Sequence, residues 1–333
     1  MALEIIRNNI TKVKADAIVN TANPYVAIGE GVDEAIYNAA GKEELLKERE
    51  KIGKLAQGEV AYTKAFDLPA KYILHTVGPI WRDGNHREVE VLRKCYQNAL
   101  NLALSLDCQS IAFPLIASGT YRFPKEIALS TAMNEISDFL FHHDMQVYLV
   151  VYDKESFEVS SKVFKEITNY IEENEEIELD YEFAGDIRNE NVSYSLMAGG
   201  SKKEAKKIDA EDALEDILAK KEETFQEHLF YLIDHKGLDE VEVYKKANLD
   251  RKHFSKIRSN ANYQPTKRTA LALAIALELN LDETKDLLLK AGIALSHSSV
   301  FDLIMEYCIT HEIHDIYEVN CILFKFDQPT LGA

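Results

Sequence analysis

The chain has 333 residues, of which 46% are hydrophobic, and this is enough apolar material for more than one folded unit. Its formal net charge of −18 argues against a general nucleic-acid coat protein. It has no apolar run of membrane-spanning length and no signal-peptide pattern, so we expect a cytoplasmic protein without membrane contact. Four scattered cysteines lack the spacing of a metal site or a disulfide framework, and we expect neither a metal nor a cofactor.

The first half of the chain alternates strand and helix patterns. Strands are predicted at residues 3–7, 17–20, 72–77, 110–114 and 146–152, and helices at residues 32–40, 89–106, 125–142 and 156–172. This alternation predicts an α/β fold of three layers, with a mixed, mostly parallel sheet between two layers of helices. Ligands of such sheets bind beyond the carboxyl ends of the strands.

Two loops that leave predicted strand ends carry the candidate binding residues. In the first, over residues 20–31, two asparagines are followed by a Gly-Glu-Gly turn that opens directly into a helix. A helix N-terminus offers unpaired N–H groups and a positive dipole end, and glycines let the backbone approach a phosphate. The second loop covers residues 115–123. We expect both loops to meet at one cleft for an anionic ligand.

The motifs in this half resemble the macro domain, a family that binds ADP-ribose and its derivatives. The matching pieces occur in family order: DAIVN at 16–20, Asn23, GVD at 31–33, ILHTVGPIW at 73–81, IAFP at 111–114 and SGTYRFP at 118–124. The resemblance implies that the ligand is ADP-ribose or a related NAD-derived nucleotide.

The resemblance also assigns roles to individual residues. Asp16 would accept a hydrogen bond from the adenine amine, Asn23 would hold the distal ribose, and Tyr152 would stack on adenine unless it is a core aromatic. Asn20 is expected to pin the loop through its amide. The full predicted ligand-binding set is Asp16, Ala17, Asn23, Gly29, Gly31, Val32, Ser118, Gly119, Thr120, Tyr121 and Tyr152.

Asp33 has two interpretations that the sequence leaves open. An acidic residue in the first turn of a helix stabilises the dipole by a few tenths to about 1 kcal/mol without any ligand. The sharper interpretation resembles the MacroD-type hydrolases, in which the matching Asp acts on a water at the distal ribose. In that case Asn23 and Asp33 would be the catalytic residues, and the protein would release ADP-ribose from an ester.

Two charged residues, Glu30 and Arg122, stand where the family usually has glycine or another small residue. A carboxylate about 4 Å from a phosphate charge costs on the order of 4 kcal/mol at an effective dielectric constant of ~20. Three arrangements are open: Glu30 points to solvent, Glu30 and Arg122 pair as a gate across the cleft, or they match an altered ligand. We favour the gate, which would leave a macro domain with disabled binding.

An acidic segment separates this unit from the rest. Residues 175–223 carry 7 basic and 15 acidic side chains, compared with 19 and 25 over residues 1–174. We therefore divide the chain into a domain at 1–174, a linker at 175–223 and a domain at 224–333. Within the linker, a strand at 177–183 and a helix at 209–223 are predicted.

The last third is predicted to be entirely helical, with helices at 225–235, 241–247, 251–258, 266–279, 282–291, 296–309 and 314–326. Asp250 and Thr266 are the expected caps at helix starts, and Gly292 ends a helix. The order of elements over 225–292 resembles the Cro-type (XRE-like) helix-turn-helix domain, which implies DNA binding, although such cores also contact proteins.

Basic residues cluster in the expected recognition region. Residues 245–268 hold eight basic side chains and one acid. The candidate nucleic-acid-binding residues are Arg251, Lys252, Ser255, Lys256 and Arg258. Two copies of the chain would present two half-sites, so a homodimer fits this interpretation. The function predicted first is ADP-ribose binding coupled to a helical DNA- or protein-binding module, and the second is hydrolysis.

Overall fold

The structure is a computed structural model that describes residues 2–152, 164–174 and 223–332. The strand predicted at 177–183, most of the helix predicted at 209–223 and residues 156–163 of the helix predicted at 156–172 lie outside the described residues. Within the described ranges, no helix is both long enough and apolar enough to cross a bilayer. The cytoplasmic location stays a prediction.

The N-terminal unit is a six-stranded mixed sheet between two layers of helices. The strands are β1 Leu3–Arg7, β2 Ala17–Thr21, β3 Val60–Lys64, β4 Tyr72–Thr76, β5 Ser110–Pro114 and β6 Gln146–Val151. Their order is β1-β6-β5-β2-β4-β3, and only the β3–β4 pair is antiparallel. The predicted mixed, mostly parallel sheet is confirmed.

Alternating side chains of the central strands divide the core between two helical layers. The helices are α1 Val32–Ala40, α2 Lys42–Ile52, α3 Glu88–Ser105 and α4 Lys125–His142. In β2, Ile18 packs with α1 and α2, whereas Ala17 and Val19 face the cluster that contains α3 and α4. Because successive side chains of a strand point to opposite faces, a fully apolar strand is buried on both sides.

Two elements were missed by the sequence patterns. In β3 only Thr63 is buried, so this edge strand lacks a continuous apolar signal. Helix α2 is largely charged, and its two buried residues are Leu45 and Arg49. Both elements form because a neighbouring element packs on them, which a local pattern does not record.

The C-terminal unit is helical, as predicted. Its helices are α5 over residues 164–174, α6 Phe225–His235, α7 Glu240–Lys246, α8 Arg251–Ser259, α9 Lys267–Ala276, α10 Leu281–Lys290, α11 Val300–Thr310 and α12 Ile316–Lys325. Asp250 and Thr266 cap α8 and α9 by accepting from the N–H groups of His253 and Thr269. Although the sequence places residues 164–174 with the N-terminal unit, Ile167 and Ile171 are buried in the helical core.

Helices α7 and α8 are joined by the four-residue turn 247–250, which is compatible with a helix-turn-helix. The assignment to the Cro-type family remains a prediction, because the order and packing of short helices do not identify a family.

The helical unit packs against β1 and α4 of the sheet unit. Cys321 and Phe324 of α12 are buried in the sheet's core cluster, and the Nζ of Lys245 donates to the carbonyl of Phe141. The side-chain amide of Asn248 binds the backbone of Leu3. The two units therefore share an interface at the β1 edge of the sheet.

Candidate functional site

A cleft of about 890 Å³ opens at the carboxyl ends of β2, β5 and β6. Its walls are the loop after β2, here called loop one (residues 22–31), and the loop after β5, here called loop two (residues 115–123). The two loops face one another because β2 and β5 are parallel neighbours in the sheet. The expectation that both loops enclose one hollow agrees with this geometry.

The conformation of loop one is fixed by hydrogen bonds to the buried Asp33 carboxylate. The Oδ1 atom of Asp33 accepts from the Nδ2 of Asn20 at 2.6 Å, and its Oδ2 atom accepts from the N–H of Gly29 at 2.5 Å. Asn20 is fully buried, and Asp33 is 1% exposed. The start of α1 is thereby tied to the end of β2, which sets the path of the loop between them.

This network continues deeper into the sheet. The Nδ2 of Asn20 also lies 3.1 Å from the Nδ1 of His75, and the Nε2 of His75 lies 2.9 Å from the Oγ1 of Thr63. Burial lowers the pKa of His75 to about 3, so the imidazole is neutral at physiological pH. The neutral ring accepts from Asn20 and donates to Thr63, which fixes its tautomer.

Burial raises the pKa of the Asp33 carboxyl above its usual value, while hydrogen bonds from Gly29 and Asn20 and the charge of Arg49 oppose the rise. Arg49 is itself 1% exposed and donates to the carbonyls of Gly53 and Asn23. Asp33 does not line the cleft, and both of its oxygens are occupied. The predicted role as water activator does not match this position, whereas a structural role does.

Asn23 lines the cleft, where the sequence places a ribose-binding residue. Its Oδ1 accepts from the N–H of Tyr25 at 2.9 Å, which forms a local turn. The Nδ2 atom is then the donor that a ligand hydroxyl can use.

The N-terminus of α1 forms the phosphate side of loop one. Gly31 is the N-cap residue, has a φ of 69° and provides no side-chain cap. The first intrahelical bond runs from the N–H of Ala35 to the carbonyl of Gly31, so the N–H groups before it have no helical acceptor. Gly29, Gly31 and Val32 all line the cleft.

Loop two forms the opposite wall. Ser118, Gly119, Thr120 and Tyr121 line the cleft, and the loop is closed by a bond from the N–H of Arg122 to the carbonyl of Gly119. A Cβ atom added at Gly119 would meet no atom within 4 Å. Burial and, to a smaller extent, the charge of Asp33 raise the pKa of Tyr121, so its hydroxyl stays protonated.

One end of the cleft lies at the exits of β6 and β1. Tyr152 follows β6 and is 77% exposed, so it is a rim residue and not part of the core. Asn8, Asn9 and Ile10 follow β1 and line the same end. Sequence reasoning missed these three, although the rule that located loops one and two, polar residues after a strand end, applies to them as well.

The predicted placement of Asp16 and Ala17 at the ligand is wrong for this geometry. Both lie at the amino end of β2, five residues and roughly 16 Å from the end that opens into the cleft. Asp16 forms a 2.8 Å ion pair with Lys71 and accepts from the N–H of Gln109. Burial alone would raise the pKa of Asp16, but these partners outweigh it and the pKa is lowered. Ala17 is fully buried within the sheet.

Glu30 and Arg122 do not form the predicted gate. Glu30 is exposed and lines the cleft, whereas Arg122 is exposed but is not among the lining residues. Among the described residues, no ion pair joins these two side chains. Arg122 has a φ of 54°, the left-handed region that favours glycine.

Among the residues that the structure describes, those lining the cleft include no lysine, arginine or histidine, and Glu30 is their one carboxylate. These residues can meet negative charge on a ligand only with N–H groups and hydroxyls. Of the described residues, one cluster has metal-ligand spacing, formed by Asp83, His86 and Glu88. Glu88 already accepts from four backbone N–H groups, which accounts for its burial without an ion.

Three of the eight basic residues in the segment 245–268 already form ion pairs. Arg258 pairs with Glu240 at 3.1 Å, and Lys267 pairs with the buried Asp302 at 2.7 Å. Lys246 pairs with both Glu242 and Glu278. Within the described part of the chain, the basic side chains of α8 that have no ion pair are Arg251, Lys252 and Lys256. All of the candidate nucleic-acid residues, Ser255 included, are exposed on α8.

Comparison with known proteins identifies the N-terminal unit. The Macro domain family profile matches residues 19–132. An O-acetyl-ADP-ribose deacetylase from Citrobacter rodentium is 46% identical over 159 residues, spanning 46% of this chain and 90% of that protein. The chain belongs to the macro domain family.

Two further proteins are similar to this macro domain. A macro domain-containing protein from Methanosarcina mazei is 41% identical over 167 residues, spanning 50% of this chain and 89% of that protein. A solved macrodomain from Oceanobacillus iheyensis with ADP is 37% identical, with a TM-score of 0.44, and covers 46% of this chain and 85% of its own. The family profile and the two curated relatives confirm, for the N-terminal half, the family resemblance read from the motifs.

Proposed function

We propose that the macro domain binds ADP-ribose or a closely related nucleotide in the cleft between loops one and two. The observation that supports this most is the N-terminus of α1, which has no side-chain cap and lies opposite loop two in a cleft whose described lining residues include no cation. Such a site suits a diphosphate that is held by backbone N–H groups. The relatives named O-acetyl-ADP-ribose deacetylase point to the same ligand class.

The order of the strand ends suggests how the ligand lies. Tyr152, at the exit of β6, would stack on the adenine ring, and Asn23, beyond β2, would bind the distal ribose. The diphosphate would cross between them, against Gly31 and Gly119. About 890 Å³ accommodates a dinucleotide-sized ligand.

Calorimetric titration of the full chain with ADP-ribose, and with AMP as the truncated ligand, tests this proposal. We expect ADP-ribose to bind more tightly than AMP, because AMP lacks the distal ribose that Asn23 would hold. The variants Gly119→Ala and Gly119→Val should weaken binding in that order, since each added carbon enters space now open at loop two. Equal affinity across this series would contradict the proposed position of the diphosphate.

A second candidate function is hydrolysis of an ADP-ribose ester, because curated relatives are named deacetylases. Water would add to the acyl carbon and the bond to the ribose oxygen would break, giving a carboxylic acid and ADP-ribose. Acetate release from O-acetyl-ADP-ribose should fall in Asn23→Ala. It should persist in folded Asp33→Asn if Asp33 is structural, and be lost if Asp33 activates the water. If the unmodified chain does not release acetate, the hydrolase proposal is wrong and the binding proposal is unaffected.

For the helical unit we propose contact with a polyanion, either DNA or an acidic protein surface, through α8. The support is the set of three unpaired cations on one exposed helix. Fluorescence anisotropy with a DNA duplex should show an affinity that falls with salt, and Lys252→Ala together with Lys256→Ala should reduce that salt dependence. Arg258→Ala is the matched control because that cation is already paired.

A further inference from the structure

At the outer edge of the sheet, strand β1 is hydrogen-bonded to one side chain of the helical unit. Strand β1 is an edge strand, so its outward N–H and C=O groups need partners from outside the sheet. The N–H of Leu3 donates to the Oδ1 of Asn248 at 2.9 Å, and the Nδ2 of Asn248 donates to the carbonyl of Leu3 at 2.8 Å. At Leu3 one side-chain amide thus makes the two bonds that a neighbouring strand would make.

The position of that amide is set by the helical core. Asn248 is 3% exposed and lies in the turn between α7 and α8, with a φ of 53°. Its neighbours Ala247 and Leu249 are almost completely buried. A shift of α7 or α8 would therefore move the amide and, with it, the contact at Leu3.

The other end of β1 is also attached to the helical unit. The guanidinium of Arg7 pairs with Asp327 at 2.9 Å and lies 5.5 Å from the ring centroid of Phe324. Phe324 and Cys321 are buried in the sheet's core cluster. An exposed ion pair contributes little by itself, but here it adds to an apolar contact at the same point.

Strand β1 continues directly into the cleft. The N–H of Asn8 donates to the carbonyl of Val151 at 3.1 Å, and Asn8, Asn9 and Ile10 then line the end of the cleft beside Tyr152. The helical unit consequently holds both ends of the strand whose next three residues form a wall of the cleft.

We propose that docking of the helical unit positions this wall, so that the state of the helical unit sets the ligand affinity of the macro domain. Asn248 is the main positioning residue, and the pair of Arg7 and Asp327 is the second. The inference deepens the proposed function and rests on it, since it concerns the same cleft. Coupling between two sites is reciprocal, so a ligand in the cleft also favours the docked helical unit.

Asn248→Gly is the sharpest test, because glycine accepts the positive φ while the change removes the side-chain amide. Hydrogen–deuterium exchange of the ligand-free chain should become faster at residues 8–10, roughly 16 Å along the strand from Leu3. ADP-ribose affinity should fall by about tenfold, a typical size for coupled sites. Glu312→Gly is the matched control, since Glu312 has a φ of 57° and is exposed in the same unit.

Unchanged exchange at residues 8–10 in Asn248→Gly would overturn the inference, whatever the ligand is. Unchanged ADP-ribose affinity despite faster exchange would also overturn it. Failure of the unmodified chain to bind ADP-ribose would instead count against the proposed function, and the exchange experiment would still test the positioning. If Asn248→Gly does not fold, Asp327→Asn should give the same changes at smaller size, with exposed Asp234→Asn as its control.

Discussion

The sequence predicts anion binding in two regions, and these differ in the groups that they offer to an anion. The described residues that line the cleft of the macro domain include no cation, and they offer backbone N–H groups that a buried network holds in place. The segment 245–268 has eight cations, yet ion pairs and backbone contacts occupy most of them. The number of charges in a segment is therefore a poorer guide to an anion site than the partners of those charges.

The largest expected effect that tests this contrast is the pH dependence of folding stability, which reports on the buried network around His75. The folded protein keeps His75 neutral down to about pH 3, whereas an unfolded chain protonates it near pH 6.5. Between these values the unfolded state binds more protons, so stability falls as the pH falls. We expect His75 to contribute a loss on the order of 4 kcal/mol by pH 3, measured by denaturant unfolding at several pH values.

His75→Gln should flatten this dependence, while exposed His142→Gln should leave it unchanged. Equal pH profiles for the two variants would mean that His75 is not the group that titrates.

Removal of the carboxylate beneath loop one should have the next largest effect. Asp33→Ala leaves the Nδ2 of Asn20 without its acceptor in Asp33 and the N–H of Gly29 without its partner, and we expect about 3 kcal/mol of lost stability. Binding of ADP-ribose should weaken with it, because the path of loop one depends on these bonds. Thermal unfolding and titration calorimetry measure both effects.

Glu34→Ala is the control, since it removes an exposed carboxylate from the same helical turn. If Asp33→Ala kept wild-type stability, loop one would be held by something other than this network.

A smaller effect is expected at the mouth of the cleft. Glu30→Gln removes the one carboxylate among the described lining residues and should tighten ADP-ribose binding by about tenfold, the order expected for one repulsive charge that solvent partly screens. Glu34→Gln, on the exposed face of α1, should leave the affinity unchanged. An affinity that does not rise would show that Glu30 points away from the bound diphosphate.

The smallest effect concerns Arg122. Because its φ is 54°, Arg122→Gly should relieve strain and raise stability by about 0.5 kcal/mol after the entropy cost of glycine. The change in affinity in the double variant with Glu30→Gly should equal the sum of the two single changes, since the two side chains form no ion pair. A coupling of more than about 1 kcal/mol in this cycle would restore the gate hypothesis.

Much of the fold was accessible from local pattern. The apolar strands, the caps at Asp250 and Thr266 and the order of the helices follow from side-chain period and from turn chemistry. Strand β3 and helix α2 could not be predicted from local pattern, because each is stabilised by packing on a neighbouring element. In the site, both loops were located from sequence, but the wall at residues 8–10 was missed, and Asp16, at the start of β2, was assigned a ligand contact although it does not line the cleft.

The sequence alone determined five of the six strands, the two loops at their ends and the glycine turn that opens α1, because these depend on residues close together in the chain. Only the tertiary structure decided which carboxylate faces the cleft, which cations are already paired and where the helical unit docks. The contact between Leu3 and Asn248 joins residues 245 positions apart. No local pattern contains such a contact, because packing of the whole chain brings its two partners together.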